Sequence, residues 1–195
     1  MSDPPLPDND GQTPLSNDER EGLIPSYITL RAELNEAEQA NILEAEDWAF
    51  KSKRKVLSVD FLKKLHKRMF GRVWRWAGAF RTTGKNIGVD TYRIHTDLQG
   101  LINDCAYWIE HGTYQHDEIA ARFHHRLVYI HPYPNGNGRH ARLATDLLLR
   151  ALDRPRFSWG SKYLTDAGEA RTRYIEALRA ADSQDYAPLL AFVRS

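Results

Sequence analysis

His131-Pro132-Tyr133-Pro134-Asn135-Gly136-Asn137-Gly138-Arg139-His140-Ala141-Arg142 is the stretch from which the rest of this chain is read. Pro132 and Pro134 push the residues before them away from the α region, so a helix arriving through Val128 to Ile130 is predicted to stop at His131. A histidine at a helix C-terminus meets the negative end of the dipole, which favours imidazolium. A pKa near neutrality is therefore predicted, as suits a general base. Gly136 and Gly138 can take positive φ and leave room for backbone N–H groups to converge on an anion. A helix beginning there adds its own free N–H groups. Arg139 and Arg142 fall on one face of it and offer planar forks to phosphate oxygens.

Working outward, Ile119, Ala120, Phe123, Leu127 and Ile130 recur at helical spacing up to the motif. Beyond it, Ala141, Ala144, Leu148 and Ala151 continue a helix until Pro155. Gly136-x-Gly138-x-x-Ala141 also fits the dinucleotide fingerprint, but that fingerprint needs a strand before it, and here the approach is helical.

The motif resembles the signature of the Fic family, His-Pro-Phe-x-Asp/Glu-Gly-Asn-Gly/Lys-Arg-x-x-Arg. Tyr133 stands for the family Phe and Asn135 for the family acid. The Pro-Asn-Gly-Asn-Gly-Arg-His-Ala-Arg wording is most similar to the subgroup called mobile mystery protein B. The resemblance implies an all-α helical bundle with one small β-hairpin, the flap. It also implies an adenylyltransferase that moves AMP from ATP onto a Ser, Thr or Tyr hydroxyl of a target protein. His131 would then be the catalytic base. Gly136, Asn137, Gly138, Arg139 and Arg142 would bind the nucleotide, and Asn135 would be a weak Mg ligand. Lys85, Asn86, Ile87, Gly88 and Val89 would form the target-docking flap. Alternatives are the kinase chemistry of the Doc branch, where the residue at Gly138 is Lys, and a degenerate, non-catalytic nucleotide- or partner-binding module, which Asn135 keeps open. Thr29-Leu30-Arg31-Ala32-Glu33 resembles the family's inhibitory helix. That likeness implies an inhibitory Glu33 paired with Arg142, although Leu34 departs from the pattern. Regulation by a separate partner or a homodimer is the alternative.

The remaining segments frame this core. Residues 1–22 hold prolines at 4, 5, 7 and 14 with little apolar content, and are expected to be a disordered tail. Residues 23–57 are read as the inhibitory segment and first long helix, and 58–195 as the Fic core. Asn35 and Glu38 form a start signal for that long helix, after a short one over Thr29 to Leu34. Ile42, Ala45, Trp48 and Ala49 give its apolar stripe. The basic run Lys51 to Lys55 reads as a solvated helix end. Ser58 caps a helix through Phe61, Leu62, Leu65 and Met69 that stops at Gly71. Trp74 and Trp76 read as core anchors. The stretch Ala79 to Tyr92 reads as a hairpin or extended loop. Leu98, Leu101, Ile102, Cys105, Trp108 and Ile109 mark a helix ending near Gly112, with Cys105 as filler on its buried stripe. Thr165 and Asp185 are candidate caps for two last helices.

Composition bounds the function. At 195 residues, 42% hydrophobic and 27% charged, the chain is expected to form one globular core. A net charge of +1 predicts no strong pull towards nucleic acid or membrane. One cysteine allows no intrachain disulfide, and the acidic, Pro-rich start lacks the pattern of a signal peptide. A cytoplasmic setting is expected. The histidines show no His-Glu-x-x-His pair, so zinc chemistry is not expected.

Overall fold

The computed structural model describes residues 16–51, 53–161 and 167–195. Among them the chain is all-helical, with no sheet: α1 Asn17–Arg20, α2 Arg31–Phe50, α3 Val59–Phe70, α4 Ile94–His111, α5 His116–Ile130, α6 Asn137–Ala151, α7 Ala167–Asp182 and α8 Ala187–Val193. Local chemistry sets several of these ends. The Ser58 hydroxyl accepts from Phe61 N–H at the start of α3, and Gly112 closes α4 in the left-handed region. The Asp185 carboxylate accepts the Ala187 N–H at the start of α8.

Helix α6 is the centre of the packing, against α5, α3 and α2, while α4 closes on α5 and α3. Leu62, Leu65, Met69, Leu98, Leu101, Ile119, Phe123 and Ala144 are fully buried in the main core, each large side chain contributing about 1.5–3 kcal/mol. Cys105 lies in the same core, where burial pushes its thiol up to about 12 and leaves it inert. Helices α7 and α8 form a second cluster with Ala120 and Ala121 of α5 and Leu149 of α6, built on Tyr174, Ala177, Ala181, Leu189 and Val193. Among the described residues, no helix is long and apolar enough to cross a membrane.

Three expectations change. The start signal at Asn35 is not used: one helix runs from Arg31, because the Glu33 carboxylate accepts the N–H groups of Thr29 and Leu30 and so begins it earlier. The small β-hairpin is not formed. Residues 81–90 are an irregular loop whose backbone bonds go to the end of α5 and the start of the motif, Val89 N–H to Ile130 O and Arg81 N–H to Pro132 O, rather than across a hairpin. The expected disordered tail does not extend to Gly22, since Ser16 caps α1 and Glu19 is buried. Residues 1–15 and the Thr165 cap lie outside the described residues. Of the basic run, Lys51 pairs with Asp47, Lys53 with Asp153, and Arg54 stacks on Trp48.

Candidate active site

His131 ends α5 in the left-handed conformation, φ 53° and ψ 59°, a geometry that costs a non-glycine residue energy and is held by its surroundings. Its side chain is 5% exposed. Burial, together with the positive charges of Arg81 and Lys85, pushes the imidazole down to about 4, against the pull of the Val128 carbonyl. The expected rise from the helix dipole is therefore corrected: desolvation and two cations outweigh the helix end. At neutral pH the ring is an unprotonated base.

The loop from Tyr133 to Gly136 is tied at both ends by one side chain. Asn137 accepts the Tyr133 N–H at 2.9 Å and donates to the Tyr133 carbonyl at 2.8 Å. The Asn137 amide is therefore a loop clamp, and what it can offer a phosphate is its backbone N–H. His66 of α3 supports the same loop. Gly78 N–H donates to its Nδ1, so its Nε2 carries the proton and donates to the Asn135 carbonyl. The His66 ring also stacks on Tyr133 at 3.7 Å. Gly136 is the N-cap of α6 at φ 78°, where a Cβ would strike the Phe70 ring at 2.5 Å. No side chain caps α6, so the N–H groups of Asn137, Gly138 and Arg139 keep the orphan character of a helix start. Around Gly138 a Cβ would meet nothing within 4 Å. This open, uncapped N-terminus has the free N–H groups and the dipole direction that suit an anion.

The two motif arginines differ in their partners. Arg139 donates to Glu38 at 2.7 Å, and Glu38, buried in α2, also accepts the Trp74 indole N–H. Arg142 lies over Tyr174 at 4.6 Å and Trp159 at 5.6 Å, with its Nε buried and lacking a hydrogen-bond partner among the described residues. The two line one cleft of about 180 Å³ with Gln39, Asp146 and Arg156. Glu33 does not reach Arg142: it is a helix cap, with its carboxyl held low by the Leu30 and Thr29 N–H groups. The expected inhibitory pair is thus corrected, since the carboxylate on a motif arginine comes from Glu38.

Gly88, at φ 99°, brings the backbone of this loop against His131, because a Cβ there would lie 2.7 Å from the His131 Cβ. Asn86, Ile87 and Gly88 are exposed, whereas Val89 is buried. Lys85 is drawn inward to an ion pair with Glu19, which also accepts the Thr83 hydroxyl. Arg81, His66, Glu19 and Glu38 were all missed by sequence reasoning. Only a histidine on an apolar helix face and an arginine beside the flap could have prompted a search, and neither carries a motif.

The donor set fits Mg poorly. Asn135 brings a neutral amide oxygen that already accepts the Gly136 N–H at 2.6 Å, where the family acid would bring a carboxylate.

Residues 56–149 match the Fic/DOC family. The chain is 30% identical over 146 residues to the protein adenylyltransferase Fic of Nematostella vectensis, covering 72% of this chain and 32% of that protein. It is 31% identical over 134 residues to the Drosophila virilis protein of that name, covering 66% and 26%. The chain thus spans about a third or less of the length of these curated relatives. Among solved structures, BepC, a VirB-translocated effector of Bartonella tribocorum crystallised with AMPPNP, aligns with a TM-score of 0.68 at 19% identity, over 92% of this chain and 97% of that one. The N-terminal Fic domain of a Bartonella quintana cell filamentation protein aligns at 0.70 and 17%, over 90% and 91%. With His131, the uncapped helix start and the two arginines of one signature gathered at one place, residues 56–149 of this chain are a domain of the Fic/DOC family.

Proposed function

We propose that this chain transfers AMP from ATP to a hydroxyl of a target protein. The observation that carries this reading is a buried, neutral His131 beside the open N-terminus of α6. His131 removes the proton of the target hydroxyl, whose oxygen bonds to the α-phosphorus as the bond to the bridging oxygen breaks and pyrophosphate leaves. The backbone N–H groups of Asn137 and Gly138 and the guanidinium groups of Arg139 and Arg142 stabilise phosphate charge. The weak fit of Mg at Asn135 supports a metal held by the phosphates, and keeps the non-catalytic module as an outcome to be tested. The open space at Gly138, where the kinase branch has Lys, supports nucleotide transfer over phosphorylation. Placement in the mobile mystery protein B subgroup rests on the motif wording alone. Autoinhibition by an N-terminal carboxylate is retained, with Glu38 in place of Glu33.

Incubation with α- and γ-labelled ATP and lysate tests the reading. Label from α on protein is expected. Label from γ alone would mean phosphorylation, and label from neither would leave a binding module. His131→Ala is expected to lower transfer about 10²- to 10⁴-fold with ATP binding kept. Transfer at the wild-type rate would remove His131 as the base.

A further inference from the structure

Arg81 is 3% exposed and, among the described residues, its guanidinium hydrogen-bonds to no carboxylate, although Asp90 and Glu19 lie near enough to favour its charge. Its guanidinium instead spends its three nitrogens on three backbone carbonyls. Nε donates to His131 O at 2.7 Å, Nη1 to Thr83 O at 3.0 Å, and Nη2 to Val89 O. Its own N–H goes to Pro132 O. A buried guanidinium is costly unless its donors are satisfied, and here all of that hydrogen bonding joins the two ends of the flap to the backbone of the base. The same contact fixes a non-glycine residue in the left-handed region, where the chain would otherwise relax. Gly88 completes the arrangement, since a Cβ there would lie 2.8 Å from Arg81 Nη2.

We propose that Arg81 is a positioning residue for the transfer reaction: one side chain sets both the orientation of His131 and the distance of the target-docking edge from it. This rests on the function proposed above. The target hydroxyl must meet the base within hydrogen-bond reach, and base and docking edge come from segments about 45 residues apart in the chain. Lysine could not replace the fork, because an ammonium lacks the planar geometry needed to reach three diverging carbonyls. The guanidinium charge also opposes protonation of the imidazole. The other charges that bear on this centre are Lys85 in the flap, Glu19 of α1 beyond it, and Asp90 beside Arg81, with the Val128 carbonyl of α5 acting the other way.

Two variants separate charge from geometry. In the free protein, the imidazole of His131 is titrated by NMR, assigned by comparison with His131→Gln, and amide exchange is followed over residues 81–89. Arg81→Gln is expected to raise the His131 titration point and to speed flap exchange at least tenfold. Arg81→Lys is expected to leave the titration near the wild-type value while flap exchange still speeds up. In the transfer assay, Arg81→Lys is expected to raise KM for the protein target with little change in KM for ATP. If either variant folds, as judged by circular dichroism, and both flap exchange and the His131 titration stay as in wild type, Arg81 only fills space and the proposal fails. A uniform fall in rate at every pH, with an unchanged ratio of the two KM values, would also overturn it. Should Arg81→Gln not fold, Arg81→Lys carries the test through exchange and KM. The exchange and titration need no transfer activity, so they can succeed where the proposed function fails, and the reverse.

Discussion

Glu33 and Glu38 stand on the same helix, α2, and have different tasks because of where the helix turns them. At about 100° per residue, five residues rotate a side chain by about 140°, so the two carboxylates leave the helix on nearly opposite sides. Glu33 turns back to the orphan N–H groups of the first turn, while Glu38 faces inward to Arg139 and Trp74. In the proposed reaction ATP takes Arg139 for its phosphates and displaces that charge-assisted bond, a contact of about 1.5–3 kcal/mol when shielded. The Arg139 side chain is 39% exposed, so water screens the pair and the low end applies. Glu38→Gln keeps an acceptor for the Trp74 indole and removes the charge. Calorimetry should show ATP binding about three- to tenfold more tightly. Unchanged affinity would return Glu38 to a tie between α2 and the core.

The flap gets its shape from neighbouring elements rather than from a turn of its own. Arg81 and Val89 bond to the motif backbone, and Glu19 of α1 holds Thr83 and Lys85 from the other side. Burial alone would raise the Glu19 carboxyl, but the bonds from Lys85, Ser16 and Thr83 prevail and hold it low. Between these pins Ile87 remains 49% exposed, next to the Gly88 backbone that lies against His131. An extended target segment can pair with such an edge. Ile87→Pro removes one N–H from it. Target modification is expected to fall sharply while ATP binding and self-modification persist. Undiminished target modification would exclude this edge, and equal loss of all three readouts would mark a damaged fold.

Across the whole molecule, buried neutral histidines link the site to the core. His66 and His140 pack around Tyr133, and His124 bonds Tyr174 under Arg142. Burial lowers all of them, His124 to about 3, His131 and His140 to about 4, and His66 well below its ordinary value. In the unfolded chain these rings take protons near pH 6.5, whereas the native state refuses them until about 4. The unfolded state therefore binds more protons in that interval, and stability falls as pH drops from about 6.5 towards 4. The urea midpoint should be level above about pH 7 and decline steadily below it. His140→Gln should make the decline shallower, while a midpoint flat down to pH 5 would mean these rings are hydrated.

Periodicity determined which faces are buried. The stripes through α3, α4 and α5, the caps at Ser58 and Gly112 and the break at His131 all follow from local sterics and hydrogen bonding, which a single segment contains. The signature at 131–142 likewise marked the candidate site, because the residues of a helix start suited to an anion are neighbours in the chain. Only the tertiary structure decided the rest. It assigned Arg139 to Glu38, sent Glu33 to a cap, turned Asn137 into a loop clamp, folded Glu19 onto Lys85 and made Arg81 the tie between flap and base. It also reversed the expected direction for His131, since a dipole acts along one helix, whereas desolvation and the charge of Arg81 come from chain distant in sequence.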